Sequence, residues 1–132
     1  MANLQATNLT GSVFEKIGTS TVNGTTVTVD LATGSYFVLD LQGASGDITT
    51  FTTSNVNAST PYAITFTTKI IQGSTARQFT WGSLSAFLWS AVTYPGGGPS
   101  LSAANDSVGV FSFITYDNST TWYGKVEGNN IS

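Results

Sequence analysis

The chain has no cysteine and no histidine. Their absence removes disulfide frameworks, thiol nucleophiles, the commonest general base and the commonest metal ligand. The usual zinc and haem sites go with them. Charge is also scarce: 8% of residues carry one, against about a quarter in ordinary soluble domains. Four cations (Lys16, Lys69, Arg77 and Lys125) stand against seven carboxylates, a net charge of −3. Nucleic-acid affinity comes mostly from phosphate neutralisation, which four scattered cations do not supply, so no nucleic-acid partner is expected. The apolar stretches fall far short of the roughly 20 residues of a membrane span, and no membrane partner is expected either. Met1 to Gly11 (MANLQATNLTG) lacks the basic and apolar regions of a signal peptide. Ala, Glu, Lys, Leu and Arg are too few for a coiled coil or long helical bundle.

Ser and Thr supply 38 of the 132 residues, with 14 Gly and 9 Asn beside them. The chain is nonetheless 40% hydrophobic and 12% aromatic, enough for a core in one domain. A period of two dominates. Thr26 to Leu31 (TVTVDL) sets Val27, Val29 and Leu31 on one face; Tyr36 to Gln42 (YFVLDLQ) does so with Phe37, Leu39 and Leu41. Ala32 to Ser35 lies between them, and a hairpin is the predicted link. Tyr62 to Gln72 (YAITFTTKIIQ) is the longest expected strand, with Pro61 tolerated at its start. Arg77 to Trp81 (RQFTW) reads as another strand, with Phe79 and Trp81 inward. Val108 to Tyr116 and Thr120 to Glu127 are expected to pair antiparallel around a polar turn at Asp117 to Ser119. Leu84 to Tyr94 departs from alternation and is read as an irregular crossing that ends at Pro95-Gly96-Gly97-Gly98-Pro99. The pattern predicts an all-β antiparallel sandwich. Residues 1–25 form an N-terminal arm or edge strand, and 26–132 form the β-sandwich domain.

No catalytic, cofactor-binding or metal residue is assigned, and the chain is read as a non-enzyme. Asp30 and Asp40, expected on adjacent strands and facing outward, would offer the one acid pair for glycoside hydrolysis. Solvated charges that discourage edge pairing account for them more simply. Asp106 and Asp117 sit in turn sequences, where an Asp caps its own backbone. Gly96 to Gly98 follows no strand into a helix, so it is no phosphate loop. Trp89, Tyr94, Trp122 and Tyr123 are stacking candidates for a sugar, though aromatics at strand spacing more often fill a core.

From Thr26 to Glu127 the order of features resembles a small β-domain of bacteriophage virion proteins, found in tail-fibre modules and in capsid decoration (cement) proteins. The likeness rests on TVTVDLATGSYFVLDL, AITFTTKII, FTWGS and YPGGGPSLSAANDSVGVFSFITYDNSTTWYGKV. It implies a jelly-roll-like fold, a homotrimer and no catalytic residue. A decoration protein needs a compact unit and a gripping arm, which suits a domain with a short N-terminal segment. The resemblance therefore implies a virion protein on the capsid surface, made in the host cytoplasm, whose partners are its own copies and the major capsid protein. Leu4, Leu9, Phe14, Phe51 and Phe87 are the expected oligomer or capsid contacts. The alternative is a tail-fibre or receptor-binding tip that recognises host surface glycans, with Trp89 and Tyr94 as contacts.

Overall fold

Alternating burial builds eight strands in two sheets in the computed structural model, which describes residues 14–56 and 63–132. Strands β1 (Ser20–Asn23), β2 (Thr26–Asp30) and β4 (Thr50–Ser54) form a three-stranded sheet in the order β1-β2-β4. The larger sheet contains β3 (Tyr36–Asp40), β5 (Ile64–Ile71), β6 (Phe87–Leu88), β7 (Val108–Thr115) and β8 (Trp122–Ile131). Its order is β3-β5-β7-β8-β6. The described residues are all-β apart from two single 3₁₀ turns, at Leu41–Gly43 and Trp81–Ser83.

One core lies between the sheets. Val27, Val29 and Phe51 face it from the smaller sheet; Phe37, Leu39, Phe66, Ile70, Phe111, Phe113 and Trp122 face it from the larger. Phe51 reaches across, its ring centroid 4.7 Å from that of Phe87 and 6.0 Å from that of Phe113. Phe66 stacks on Phe113 at 5.0 Å and meets Trp122 edge-on at 4.8 Å. Aromatic pairs prefer such offset and edge contacts, and burying each ring contributes about 1.5–3 kcal/mol.

The sheets are mixed, which corrects the antiparallel expectation. β2 pairs parallel with β4, β3 with β5 and β6 with β8; β1–β2, β5–β7 and β7–β8 are antiparallel. The predicted hairpin between Thr26–Leu31 and Tyr36–Gln42 is likewise absent. Its two strands lie in different sheets and meet across the core through Val27, Val29, Phe37 and Leu39. Ala32 to Ser35 crosses between the sheets, held at its start by Asp30, whose Oδ1 accepts from the Ala32 N–H and whose carbonyl accepts from the Thr33 N–H. β2 to β5 thus alternate between sheets, and each sheet receives parallel neighbours by crossover.

The hairpin near the start of the domain is a different one. β1 turns into β2 through Gly24 and Thr25, with Asn23 paired to Thr26. Gly24 has φ +63°, the positive value that the first central residue of a tight hairpin turn requires. β1 and β3 then meet along the sandwich's side: Ser20 Oγ donates to the Val38 carbonyl at 2.7 Å, and the Gly18 N–H donates to the Tyr36 carbonyl at 2.7 Å.

Two further expectations resolve differently. Arg77 to Trp81 is no strand. It makes one bridge, Phe79 to Ile48, and then tightens into the 3₁₀ turn. Phe79 and Trp81 are buried as expected, because a large ring needs an inward side chain rather than a ladder. The β7–β8 pair forms as predicted, with Phe111, Phe113 and Trp122 buried and Val126 packed against them. Tyr62 and Pro61 lie outside the described residues.

Candidate functional site

The carboxylates do not converge. Asp30 and Asp40 stand on strands of separate sheets rather than on neighbours. Each serves its local backbone: Asp30 Oδ1 accepts from the Ala32 N–H and the Asn55 amide, and Asp40 Oδ1 accepts from the Gln42 N–H at 2.9 Å. Asp117 Oδ1 accepts from the Thr121 N–H and the Thr115 hydroxyl, both at 2.8 Å. These bonds, the Thr121 backbone first, hold its carboxyl below the ordinary value of 3.8. Asn118 and Ser119 beside it both have positive φ, 55° and 72°, the left-handed pair of a tight β7–β8 turn. Among the described residues no group of three or more His, Cys, Asp or Glu is placed to hold a metal.

Two of the four aromatic candidates converge, while Trp122 is buried in the core and Tyr123 lies exposed on the sheet's outer face. Trp89 and Tyr94 line one open cavity of about 370 Å³ with Trp81, Leu88, Pro95 and Gly97. Their rings meet edge-on, with centroids 6.0 Å apart, and Trp81 meets Trp89 edge-on at 4.8 Å. The placement is built locally. Trp89 follows β6, whose pairing with β8 anchors it; the Tyr94 N–H donates to the Ser90 carbonyl, and the Gly97 N–H to the Tyr94 carbonyl. Trp81 is fixed from within, its Nε1–H donating to the Pro99 carbonyl at 2.8 Å. Gly98 is required beneath: a Cβ there would collide with the Trp81 ring and come within 2.8 Å of Trp89 Cδ1. Trp89 is half-buried, its ring against Phe111 and Phe113. Its Nε1–H is buried with no acceptor among the described residues.

The other expected contacts divide. Phe14 is 90% exposed. Phe51 and Phe87 are core residues at 8% and 4% exposure, and this corrects their assignment as surface contacts. Each ring packs against others, Phe51 against Phe66, Phe79, Phe87 and Phe113, which leaves little of either for a partner. Leu4 and Leu9 lie outside the described residues.

Three glutamines that the sequence reading passed over organise the loops. Gln72 is 2% exposed, and its amide nitrogen donates to the Arg77 and Ser102 carbonyls at 2.9 and 3.0 Å. Its amide oxygen accepts from the Arg77 N–H at 2.9 Å. Gln78 clasps the Leu101 N–H and carbonyl in the same way, and Gln42 accepts from the Ser74 N–H. A primary amide offers donor and acceptor together and so replaces a missing ladder partner. A Gln closing a strand's apolar run, as in Ile70-Ile71-Gln72, was the available signal.

No family model matches the chain, and no curated protein or solved structure matches it either.

Proposed function

We propose that this chain is a structural virion protein, a homotrimeric capsid decoration (cement) protein that binds and stabilises a phage head shell. The observation that carries the reading is the larger sheet, aromatic-filled on its inner side, whose outer face carries bands of apolar side chains that nothing covers among the described residues, as in an assembly module. Its partners are its own copies and the major capsid protein, and its place is the capsid surface. Such a protein stabilises by mass action, because it binds the assembled lattice and not the free subunit. Copy number tests this. Quantitative mass spectrometry of purified particles is expected to give one chain per capsid subunit or one trimer per lattice junction; a handful of copies moves the protein to the tail. Particles stripped of it are expected to lose heat resistance, and unchanged resistance ends the stabilising role.

A second reading is favoured by the cavity that Trp89 and Tyr94 share. As a tail-fibre or receptor-binding tip, the chain would seat the apolar face of a host-surface sugar ring against these aromatics. Tyr94→Ala would then abolish adsorption and glycan-array binding while leaving the fold intact. An array without hits, with normal adsorption by the variant, rejects it.

A further inference from the structure

We propose that the outer face of the five-stranded sheet is where copies of this chain meet one another. The inference deepens the decoration reading by naming the self-contact, although it does not need a capsid to hold.

Strand β7 carries the argument. Its inward residues Phe111 and Phe113 are core, yet three of its four outward residues, Val108, Val110 and Ile114, are apolar too, Ser112 being the fourth. A central strand that is apolar on both faces belongs in a sheet covered on both sides. Here the three-stranded sheet covers one side only.

The neighbouring strands extend the apolar surface in register. One row crosses the sheet as Thr65, Ile114, Tyr123 and Leu88. Tyr123 and Leu88 are about half exposed, and Tyr116 adds its ring 6.3 Å from that of Tyr123. A second row runs Val38, Lys69, Val110, and a third Asp40, Ile71, Val108, Ile131. Between the first two rows Thr67, Ser112 and Lys125 make a polar stripe, so the apolar side chains form two bands with polar groups between them, the mixed composition of a subunit contact.

Two arguments select a second copy as the occupant. The first is charge. Lys69 and Lys125 share this face with Asp40 and Glu127, so it is formally neutral, and Lys125 already contacts Glu127 at 3.4 Å. The −3 of the chain resides elsewhere, on two cations and five carboxylates. The face therefore meets its own copy without net repulsion, and each copy offers both signs to the other. The second is area. Four strands at ~4.8 Å spacing and eight residues at ~3.3 Å rise span roughly 500 Å² in plane. Side-chain relief raises that towards the ~800 Å² per partner of a standard stable interface. Two faces opposed across a two-fold axis bury it whole; around a three-fold axis each face divides between two neighbours.

Sedimentation equilibrium of the full chain tests the assignment. The wild type is expected to be a dimer or trimer. Val110→Lys, a charge at the centre of the face, is expected to weaken association on the order of 100-fold or more. Lys69→Glu leaves the core untouched and takes the face from neutral to −2; it should weaken association in low salt and recover in high salt. Thr52→Lys, on the outer face of the smaller sheet, should change nothing. A monomeric wild type overturns the proposal, as does an oligomer indifferent to both face substitutions. The decoration reading fails separately. An oligomer through this face with few copies per particle ends that reading and leaves this one. Full particle occupancy by a chain that is monomeric in solution, and by its face variants, does the reverse.

Discussion

The two faces of the five-stranded sheet are made by the same strands and do opposite work. Inward, Phe37, Phe66, Phe111, Phe113 and Trp122 are at most 1% exposed and locked in edge and stacked contacts. Outward, Tyr36, Val38, Leu88, Tyr123 and Ile131 remain 37–49% exposed. Size and polarity both separate the faces: bulky aromatics fill the space between sheets, while β-branched and tyrosine side chains interleaved with Thr, Ser, Lys, Asp and Glu make a shallower surface. The inner face is apolar throughout and the outer one in bands, and among the described residues only the inner one is covered, which points to assembly.

The largest expected effect lies inward. Phe113→Ala should cost about 3–5 kcal/mol in denaturant unfolding, a large share of a small domain's stability; a cost below 1 kcal/mol would mean the core collapses around the gap. Next is the polar part of the interior. Gln72→Ala removes the partner of the Arg77 N–H and of two carbonyls and should cost about 1–3 kcal/mol, with faster hydrogen exchange at Arg77 as its local sign. At the β7–β8 turn, Ser119→Gly should gain about 1 kcal/mol by relieving a left-handed backbone; no gain in thermal midpoint would show that the turn tolerates the strain.

Outward changes should be smaller in the isolated subunit. Val110→Thr, measured where the chain is monomeric, should stay within about 0.5 kcal/mol. If it rivals Phe113→Ala, the two faces are not different in kind. Smallest is the acid response of Asp117. Its carboxyl is held below the ordinary value, so its contribution is present above pH 3.8 and is lost as pH falls through the lowered folded value. Asp117→Asn should flatten that part of the acid unfolding curve, and an identical curve would show the bonds to Thr121 and Thr115 to be too solvent-screened to matter.

Much of this arrangement was legible and some was not. Alternation marks which residues of Thr26–Asp30, Ile64–Ile71 and Val108–Thr115 face inward, because side chains alternate strictly along a strand. It is silent on which strand lies beside which. The Tyr36 strand was expected next to the Thr26 strand because four residues separate them, whereas Asn23-Gly24, the stronger turn signal, was passed over. Trp89 and Tyr94 stood out by type alone. That Trp81, Pro95 and Gly97 join them depends on how the loop after β6 folds back, which no local period encodes. Gln72 looked like an ordinary strand end, and only the arrival of the Arg77 and Ser102 backbone makes it a staple.

By itself, then, the sequence determined an all-β domain, its inward residues, the β7–β8 pairing and the capping of a turn by Asp117, because each depends on residues a few positions apart. The tertiary structure alone decided the mixed sheets, the burial of Phe51 and Phe87, the convergence on Trp89 and an outer face uncovered among the described residues. Those depend on which surfaces come together across the core, and burial is a property of neighbours distant in the chain.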